Sequence, residues 1–154
     1  MQIRKATPAD ADDILRMLLE ISKVHNAGRP DLFRVATKYD REGLLALLSD
    51  PGHLVLVADD GTRAVGYAIC VLQLHEGDRV LQPVKTLYLD DLCVEATERG
   101  HGLGERLLVA AREEARAMGC HNFTLNVWAC NERARRFYER CGMKVQKIGM
   151  EVVF

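Results

Sequence analysis

Long apolar runs are missing from this sequence, and their absence argues against a membrane-spanning helix. No segment approaches the roughly 20 consecutive apolar residues that a bilayer requires. Residues 1–5 alternate as a strand does and lack the apolar centre of a signal peptide. We therefore expect a cytoplasmic protein with no membrane partner.

Cysteine and histidine lack the spacings that bind metals or build disulfide frameworks. The chain has five of each, so the cysteine count is odd, and neither C-x-x-C nor H-x-x-x-H spacing occurs. Disulfide frameworks normally need paired cysteines, and zinc sites normally need closely spaced ligands. The pattern predicts free thiols in a reducing compartment and no metal site.

A marked excess of either charge is missing as well. The 154 residues include 21 basic and 22 acidic side chains, which gives a formal net charge of −1 at pH 7. Proteins that bind nucleic acids are usually basic, so we expect no such partner. The length predicts a single domain over residues 1–154, and a monomer and a homodimer both stay open.

Hydrophobic periodicity predicts an α/β protein with mixed strand directions. Its predicted strands are residues 2–6, 54–58, 63–74, 84–94, 123–128 and 145–154. Its predicted helices are residues 8–25, a segment between Asp40 and Pro51, residues 103–118, and a segment from Asn131 to Gly142. The segment between the first two helices is expected to be irregular.

The most informative stretch runs from the end of a predicted strand into a long helix. Gly100, Gly102 and Gly104 alternate there, and Arg99 precedes them. Glycines let backbone N–H groups approach a ligand closely, and a helix N-terminus adds partial positive charge. The stretch predicts a phosphate or pyrophosphate site. The alternative is that the glycines only shape a tight turn.

Two other phosphate-binding loops do not fit this stretch. A Walker loop ends in Gly-Lys-Ser/Thr, but Gly104 is followed by Glu105 and Arg106. A dinucleotide-binding loop needs G-x-G-x-x-G, whereas these glycines are spaced by two.

The stretch resembles the R/Q-x-x-G-x-G/A signature of the GNAT superfamily of acyl-CoA-dependent N-acyltransferases, through Arg99, Gly102 and Gly104. A second signature of that family is similar to N-x-x-A-x-x-F-Y-x-x-x-G-F. Its matching residues here are Asn131, Ala134, Phe137, Tyr138, Gly142 and Met143, the last in place of an aromatic residue. The resemblance implies a mixed, mostly antiparallel sheet flanked by about four helices, with splayed strands at an acetyl-CoA site.

The resemblance also implies roles for particular residues. The pyrophosphate of acetyl-CoA would be held by Arg99, Gly100, His101, Gly102, Leu103 and Gly104. The pantetheine arm would lie against the backbone of Leu92, Cys93 and Val94, with Asn131 and Ala134 nearby. Tyr138 would protonate the departing thiolate. Asn131 has an equally common alternative role as a helix cap.

Asp90 and Asp91 lie in an otherwise apolar strand, where unpaired carboxylates are costly. The doublet resembles an acidic pair in polyamine and amino-sugar acetyltransferases, which would recruit a cationic amine and help to deprotonate it. Strand alternation places the two side chains on opposite faces. The alternative is that they sit at an exposed strand end or pair with arginine.

The reaction implied is direct acetyl transfer from acetyl-CoA to a primary amine of a small molecule. Cys93 lies close enough in sequence to suggest an acyl-enzyme, but no histidine is tied to it and a free thiol is mostly protonated. Residues 25–33 are expected to line the acceptor site. The alternatives are a protein N-terminal or lysine acetyltransferase, and a non-catalytic acyl-CoA-binding module.

Overall fold

The central sheet has five strands, and the computed structural model describes residues 1–154. The strands are β1 (Gln2–Lys5), β2 (His53–Asp59), β3 (Ala64–Leu74), β4 (Lys85–Val94) and β5 (Asn122–Leu125). The helices are α1 (Ala11–Gly28), α2 (Arg41–Ser49), α3 (Leu103–Ala117) and α4 (Glu132–Arg140), with short 3-10 turns at Pro8–Asp10 and Ala96–Glu98. None of the helices is long and apolar enough to cross a membrane.

The strands lie in the order β1-β2-β3-β4-β5, and only β4 and β5 are parallel neighbours. The predicted mixed, mostly antiparallel sheet with four helices is therefore confirmed. Helices α1 and α2 bury one face of the sheet, around Ile14, Leu44 and Tyr67. Helix α3 buries the other face, around Leu107, and α4 packs beside it.

Strands β4 and β5 separate halfway along β4. Their pairing runs only from Thr86 opposite Asn122 to Leu89 opposite Leu125, whereas β4 continues to Val94. The Glu95 N–H donates to the Val65 carbonyl at 3.0 Å, so alternate residues of β4 exchange backbone bonds with β3. The backbone groups of Leu92 and Val94 point the other way, into the gap that β5 leaves. The expected splay is confirmed.

The prediction of a last strand over residues 145–154 is wrong. This C-terminal segment forms neither strand nor helix, and its side chains are exposed. Alternating apolar residues form a strand only where a neighbouring strand satisfies their backbone groups, and none lies beside this segment. β5 also ends at Leu125 rather than at residue 128, and α1 extends to Gly28.

Candidate active site

The loop between β4 and α3 presents a row of free backbone donors. Gly100 and Gly102 have φ angles of +89° and +73°, which residues other than glycine rarely adopt. No atom lies within 4 Å of where a Cβ would stand at either position. None of the N–H groups of residues 99–105 has a hydrogen-bond partner in the protein. The loop is therefore open, and its donors suit an anion at the N-terminus of α3.

The residues around these donors fix the loop in place. The Arg99 Nε donates to the Val94 carbonyl at 2.9 Å, which ties the loop to the end of β4. Leu103 is buried and anchors the first turn of α3 in the core. A Cβ on Gly104 would lie 3.4 Å from Cζ of Phe137, an ordinary contact distance, so α4 packs directly against α3 at this position. His101 is exposed beside Glu98.

The three residues of β4 that were predicted to bind pantetheine differ in the direction of their backbone groups. Leu92 and Val94 direct their backbone into the gap, whereas Cys93 lies opposite Tyr67 and bonds to β3. The Cys93 side chain is buried, with its Sγ 3.9 Å from the Met17 carbonyl. Burial raises the pKa of the Cys93 thiol to about 11, so it stays protonated at neutral pH.

A β-bulge at Asp90 changes the faces of the acidic doublet. Ile69 pairs with Asp91 but Cys70 pairs with Leu89, so Asp90 is the extra residue. Leu89 before the bulge and Leu92 after it both pack toward α3. Both carboxylates therefore fall on the α1 side, and the prediction that they occupy opposite faces is wrong. Simple alternation does not hold through a bulge.

The two carboxylates have different surroundings. Lys38 forms an ion pair with Asp90, and the Tyr39 hydroxyl donates to Asp90 at 3.4 Å. Asp91 has no cation in contact. Burial and then the charge of Asp90 raise the pKa of Asp91 to about 6, although Lys38 and Tyr67 partly offset this. Asp91 therefore titrates close to neutral pH and is ionised at pH 7.

Lys38 and two tyrosines in this cluster were missed in the sequence. Burial lowers the pKa of Lys38, but the hydrogen bond to Asp90 and the charges of Asp90, Tyr39 and Asp91 together raise the pKa overall. The Tyr67 hydroxyl is buried and makes no hydrogen bond, yet it lies close enough to Asp91 to favour the carboxylate. Lys38 and Tyr39 follow an irregular segment, and no local pattern links them to a strand that begins at residue 85.

Tyr138 lies on α4, half-buried and packed edge-on against Phe137 with ring centroids 5.0 Å apart. Burial, and then the charge of Asp91, raise the pKa of Tyr138 well above its usual value. Its hydroxyl is therefore protonated at neutral pH. The Asn131 side chain caps α4 by accepting from the Ala134 N–H at 3.1 Å, so the capping role proposed from the sequence is present.

A cavity of about 280 Å³ lies between the end of α1 and the segment after β5. Phe33 contacts His25 and Trp128, with ring centroids 5.2 Å and 5.1 Å apart. The Asn26 amide donates to the Phe33 carbonyl at 2.7 Å and holds that loop in place. The cavity is lined by Val24, His25, Ala27, Gly28, Phe33, Trp128, Cys130 and Asn131. Trp128 was missed, although it is the single tryptophan of the chain.

These features define a class of protein: an α/β transferase with an anion-binding turn at one end of a splayed strand and carboxylates beside it. The model of the acetyltransferase (GNAT) family matches residues 17–143, which is most of the chain. The chain therefore belongs to the GNAT family, and it is an N-acetyltransferase. No three His, Cys, Asp or Glu side chains are grouped so that they could hold a metal ion.

Two relatives and one solved structure illustrate this membership. Glucosamine 6-phosphate N-acetyltransferase 1 of Oryza sativa subsp. japonica is 34% identical over 128 residues, which cover 81% of this chain and 72% of the relative. Thialysine N-epsilon-acetyltransferase of Mus musculus is 27% identical over 153 residues, which cover 92% and 82%. The tetramutant of the BH1408 protein from Bacillus halodurans is 31% identical, covers 100% of both chains and superposes with a TM-score of 0.94.

The electrostatics of the doublet can be measured directly. We expect the Asp91 carboxyl to titrate near pH 6 in a ¹³C NMR experiment. Asp90→Asn should lower this pKa because it removes a like charge, and Lys38→Met should raise it because it removes an opposite one. Lys23→Met, which alters a lysine paired with Glu20 on α1, is the matched control and should leave it unchanged.

The same shift has a consequence for stability. The pKa of Asp91 is raised above its ordinary value of 3.8 in the folded state. Its contribution to the free energy of unfolding is therefore at its maximum below pH 3.8. This contribution is lost as the pH rises through about 6. A titration midpoint near pH 4 for Asp91 would contradict the raised pKa. A midpoint that stays the same in Asp90→Asn and Lys38→Met would contradict the influence of these two charges.

Proposed function

We propose that this chain transfers the acetyl group of acetyl-CoA directly to a primary amine of a small molecule. The observation that carries the proposal is that one strand connects the two halves of the site. β4 holds the carboxylates and leads through Val94 into the free donors of residues 99–105. Asp91 and Val94 are about 10 Å apart along an extended strand, which leaves room for a long cosubstrate beside the gap.

Acetyl-CoA is held by backbone groups rather than by many side chains. The N–H groups of residues 99–104 bind its pyrophosphate, and the α3 N-terminus adds partial positive charge. The free N–H and carbonyl of Leu92 bind the pantetheine arm in the gap, and the N–H of Val94 stays free for the thioester, because Arg99 Nε already donates to the Val94 carbonyl. Ala134 and Asn131 lie at the start of α4 on the same side. The unpaired donors and the open space at Gly100 and Gly102 support this placement.

The acceptor arrives as a cation because free alkyl amines have a pKa of roughly 10.4. Asp90 and Asp91 attract this cation. In the structure the Lys38 ammonium group already forms an ion pair with Asp90, as the amine would. An incoming ammonium group therefore competes with the Lys38 side chain, which is half-exposed. The cavity at Phe33 and Trp128 gives the acceptor an aromatic wall, where a cation is also favoured.

Acetyl transfer then needs three groups in sequence. Asp91 accepts the proton of the ammonium group, directly or through a water molecule, and frees the nitrogen lone pair to attack the thioester carbonyl. The Val94 N–H stabilises the oxyanion of the tetrahedral intermediate. As the intermediate collapses, the carbon–sulfur bond breaks and Tyr138 donates its proton to the thiolate. The second proton of the attacking nitrogen then passes through water to Tyr138, which leaves the neutral amide and restores the hydroxyl. The buried, protonated Cys93 takes no part, which favours direct transfer over an acyl-enzyme.

The two rival functions make different demands on the structure. A protein N-terminal or lysine acetyltransferase needs an open groove for a polypeptide, whereas the aromatic cavity has the volume of a small molecule. A non-catalytic acyl-CoA-binding module needs no proton acceptor, yet Asp91 titrates near neutral pH and Tyr138 stays protonated. The named activities of the rice and mouse relatives also favour a small amine.

Two further proposals concern the cellular compartment and the oligomeric state. The five cysteines are free in the structure, which fits the reducing cytoplasm proposed from the sequence. The second proposal is that the chain can form a homodimer, as was left open from the sequence.

Gly102→Ala tests the pyrophosphate site. A Cβ would stand where the ligand approaches, so we expect acetyl-CoA affinity measured by calorimetry to fall at least tenfold. The strain of a positive φ costs about 1 kcal/mol as well. Gly119→Ala is a matched control, because Gly119 has the same φ of +73° and the same open surroundings at the other end of α3. Equal affinities for the two variants would rule out the site.

Tyr138→Phe tests proton donation to the thiolate. We expect kcat to fall by roughly 10²- to 10⁴-fold, as is typical when a general acid is lost. Affinity for acetyl-CoA should change little, because only one hydroxyl is removed. Tyr39→Phe, which removes a hydroxyl on the Asp90 side, is the control. A near-normal kcat for Tyr138→Phe would assign the proton to water or to the amine instead.

The pH dependence of kcat/KM distinguishes the two carboxylates. For the wild type we expect a rise through about pH 6 as Asp91 ionises, followed by a fall near the pKa of the free amine, because the cation that the carboxylates attract is lost there. Asp91→Asn should remove the rise and lower kcat. Asp90→Asn should mainly raise KM and move the rise to lower pH, because Asp91 loses its charged neighbour.

The two variants and the wild type are compared with the same amine in the same assay. If both keep the wild-type profile, neither carboxylate accepts the proton or recruits the amine. The proton would then leave through water held by backbone carbonyls, and the doublet would have only a structural role.

A further inference from the structure

Lys38 is the basic side chain in contact with the acidic doublet of β4. Its ammonium group forms an ion pair with Asp90 and lies 5.8 Å from the centre of the Tyr39 ring. The other ion-paired lysines, Lys5 and Lys23, contact carboxylates of α3 and α1 instead. One positive charge of the protein therefore lies within the acceptor site, beside the carboxylates that attract the amine.

The charge of Lys38 is also felt in the aromatic cavity at the end of α1. His25 lines this cavity, and its pKa is lowered first by burial and then by the positive charge of Lys38. No aspartate or glutamate lines the cavity, so no carboxylate offsets Lys38 on that side. An acceptor that extends from the doublet into the cavity therefore passes the Lys38 ammonium group.

The charges of the acceptor site leave room for one cation. When Asp91 is ionised, the doublet carries two negative charges and Lys38 carries one positive charge, so one negative charge remains. The ammonium group of one acceptor neutralises this cluster. A second ammonium group on the same acceptor would make the site positive and would face Lys38. Like charges that are brought together in a binding site are costly.

We propose that Lys38 restricts the acceptor to amines with a single positive charge and excludes diamines and polyamines. This inference rests on the proposed function and narrows its class of substrate. Beyond the reacting amine, the acceptor carries neutral or anionic groups. Lys38 acts by repelling the wrong acceptor, which is a common source of specificity in binding sites.

Lys38 can be exchanged for other residues without disturbing the core. Its side chain is 52% exposed, and no backbone hydrogen bond involves residues 34–39. Lys23 is equally exposed, at 52%, and pairs with Glu20 on the surface of α1. Lys23 does not line the cavity, so it provides a matched control with the same charge and the same kind of ion pair.

Acceptors of equal length test the inference. The probes n-butylamine, putrescine and γ-aminobutyrate share one length of carbon chain, but their far ends are neutral, cationic and anionic. For the wild type with acetyl-CoA, we expect kcat/KM for n-butylamine to exceed that for putrescine roughly tenfold, because the far ammonium group meets Lys38. The difference should lie mainly in KM. The kcat/KM for γ-aminobutyrate should at least equal that for n-butylamine.

Substitutions of Lys38 should change this order in a defined way. Lys38→Met should remove the preference for n-butylamine over putrescine, and Lys38→Glu should reverse it. Lys38→Arg keeps the positive charge and should keep the preference, and so should the control Lys23→Met. The ratio of kcat/KM between two probes is compared within each variant, so that a general change in activity cancels.

Equal kcat/KM for n-butylamine and putrescine in the wild type would overturn the inference and leave the proposed function standing, since both amines would still be acetylated. A preference that survives in Lys38→Met would also overturn it, because another residue would then discriminate between the amines. No transfer to any of the three probes, although acetyl-CoA binds in calorimetry, would contradict the proposed function itself, and this inference would fail with it.

Discussion

The pairing of β4 governs the rest of the site, because this strand is hydrogen-bonded on both sides over its first half and on one side over its second. Buried backbone groups normally need partners, so a strand that loses its neighbour within a domain leaves donors and acceptors for something else. In this chain those groups are the N–H and carbonyl of Leu92 and the N–H of Val94, and the strand continues into the free N–H groups of residues 99–105. The gap and the loop form one continuous row of donors and acceptors.

The bulge at Asp90 adds the charge to this arrangement. By inserting one residue it turns two adjacent carboxylates to the same face, where the charge of Asp90 raises the cost of ionising Asp91. Lys38 forms an ion pair with Asp90, whereas Asp91 has no such partner and has a pKa of about 6. One local irregularity of the backbone thus separates two chemically identical side chains into a paired carboxylate and one that can exchange protons at neutral pH.

Local sequence determined much of the fold and the loop, for definite physical reasons. Helix α3 and strand β3 were predicted to within a residue or so because their apolar periodicity is long and is bounded by glycine or a turn. The glycine loop was identifiable because its conformation requires glycine, whatever surrounds it. The Tyr138 motif lies within one helix, so its spacing is also a local property. The family membership follows from these local patterns.

Tertiary structure decided what depends on contacts between distant segments. The bulge at Asp90 is set by pairing with β3, so alternation along β4 alone predicted the wrong faces for the doublet. The ion pair of Lys38 with Asp90 joins residues 52 positions apart, and the cavity wall at Trp128 depends on where α1 ends. The alternation of residues 145–154 indicates a strand, but a strand exists only where an edge is available. The sequence encodes the periodicity of that segment, and only the arrangement of sheet edges determines whether it pairs.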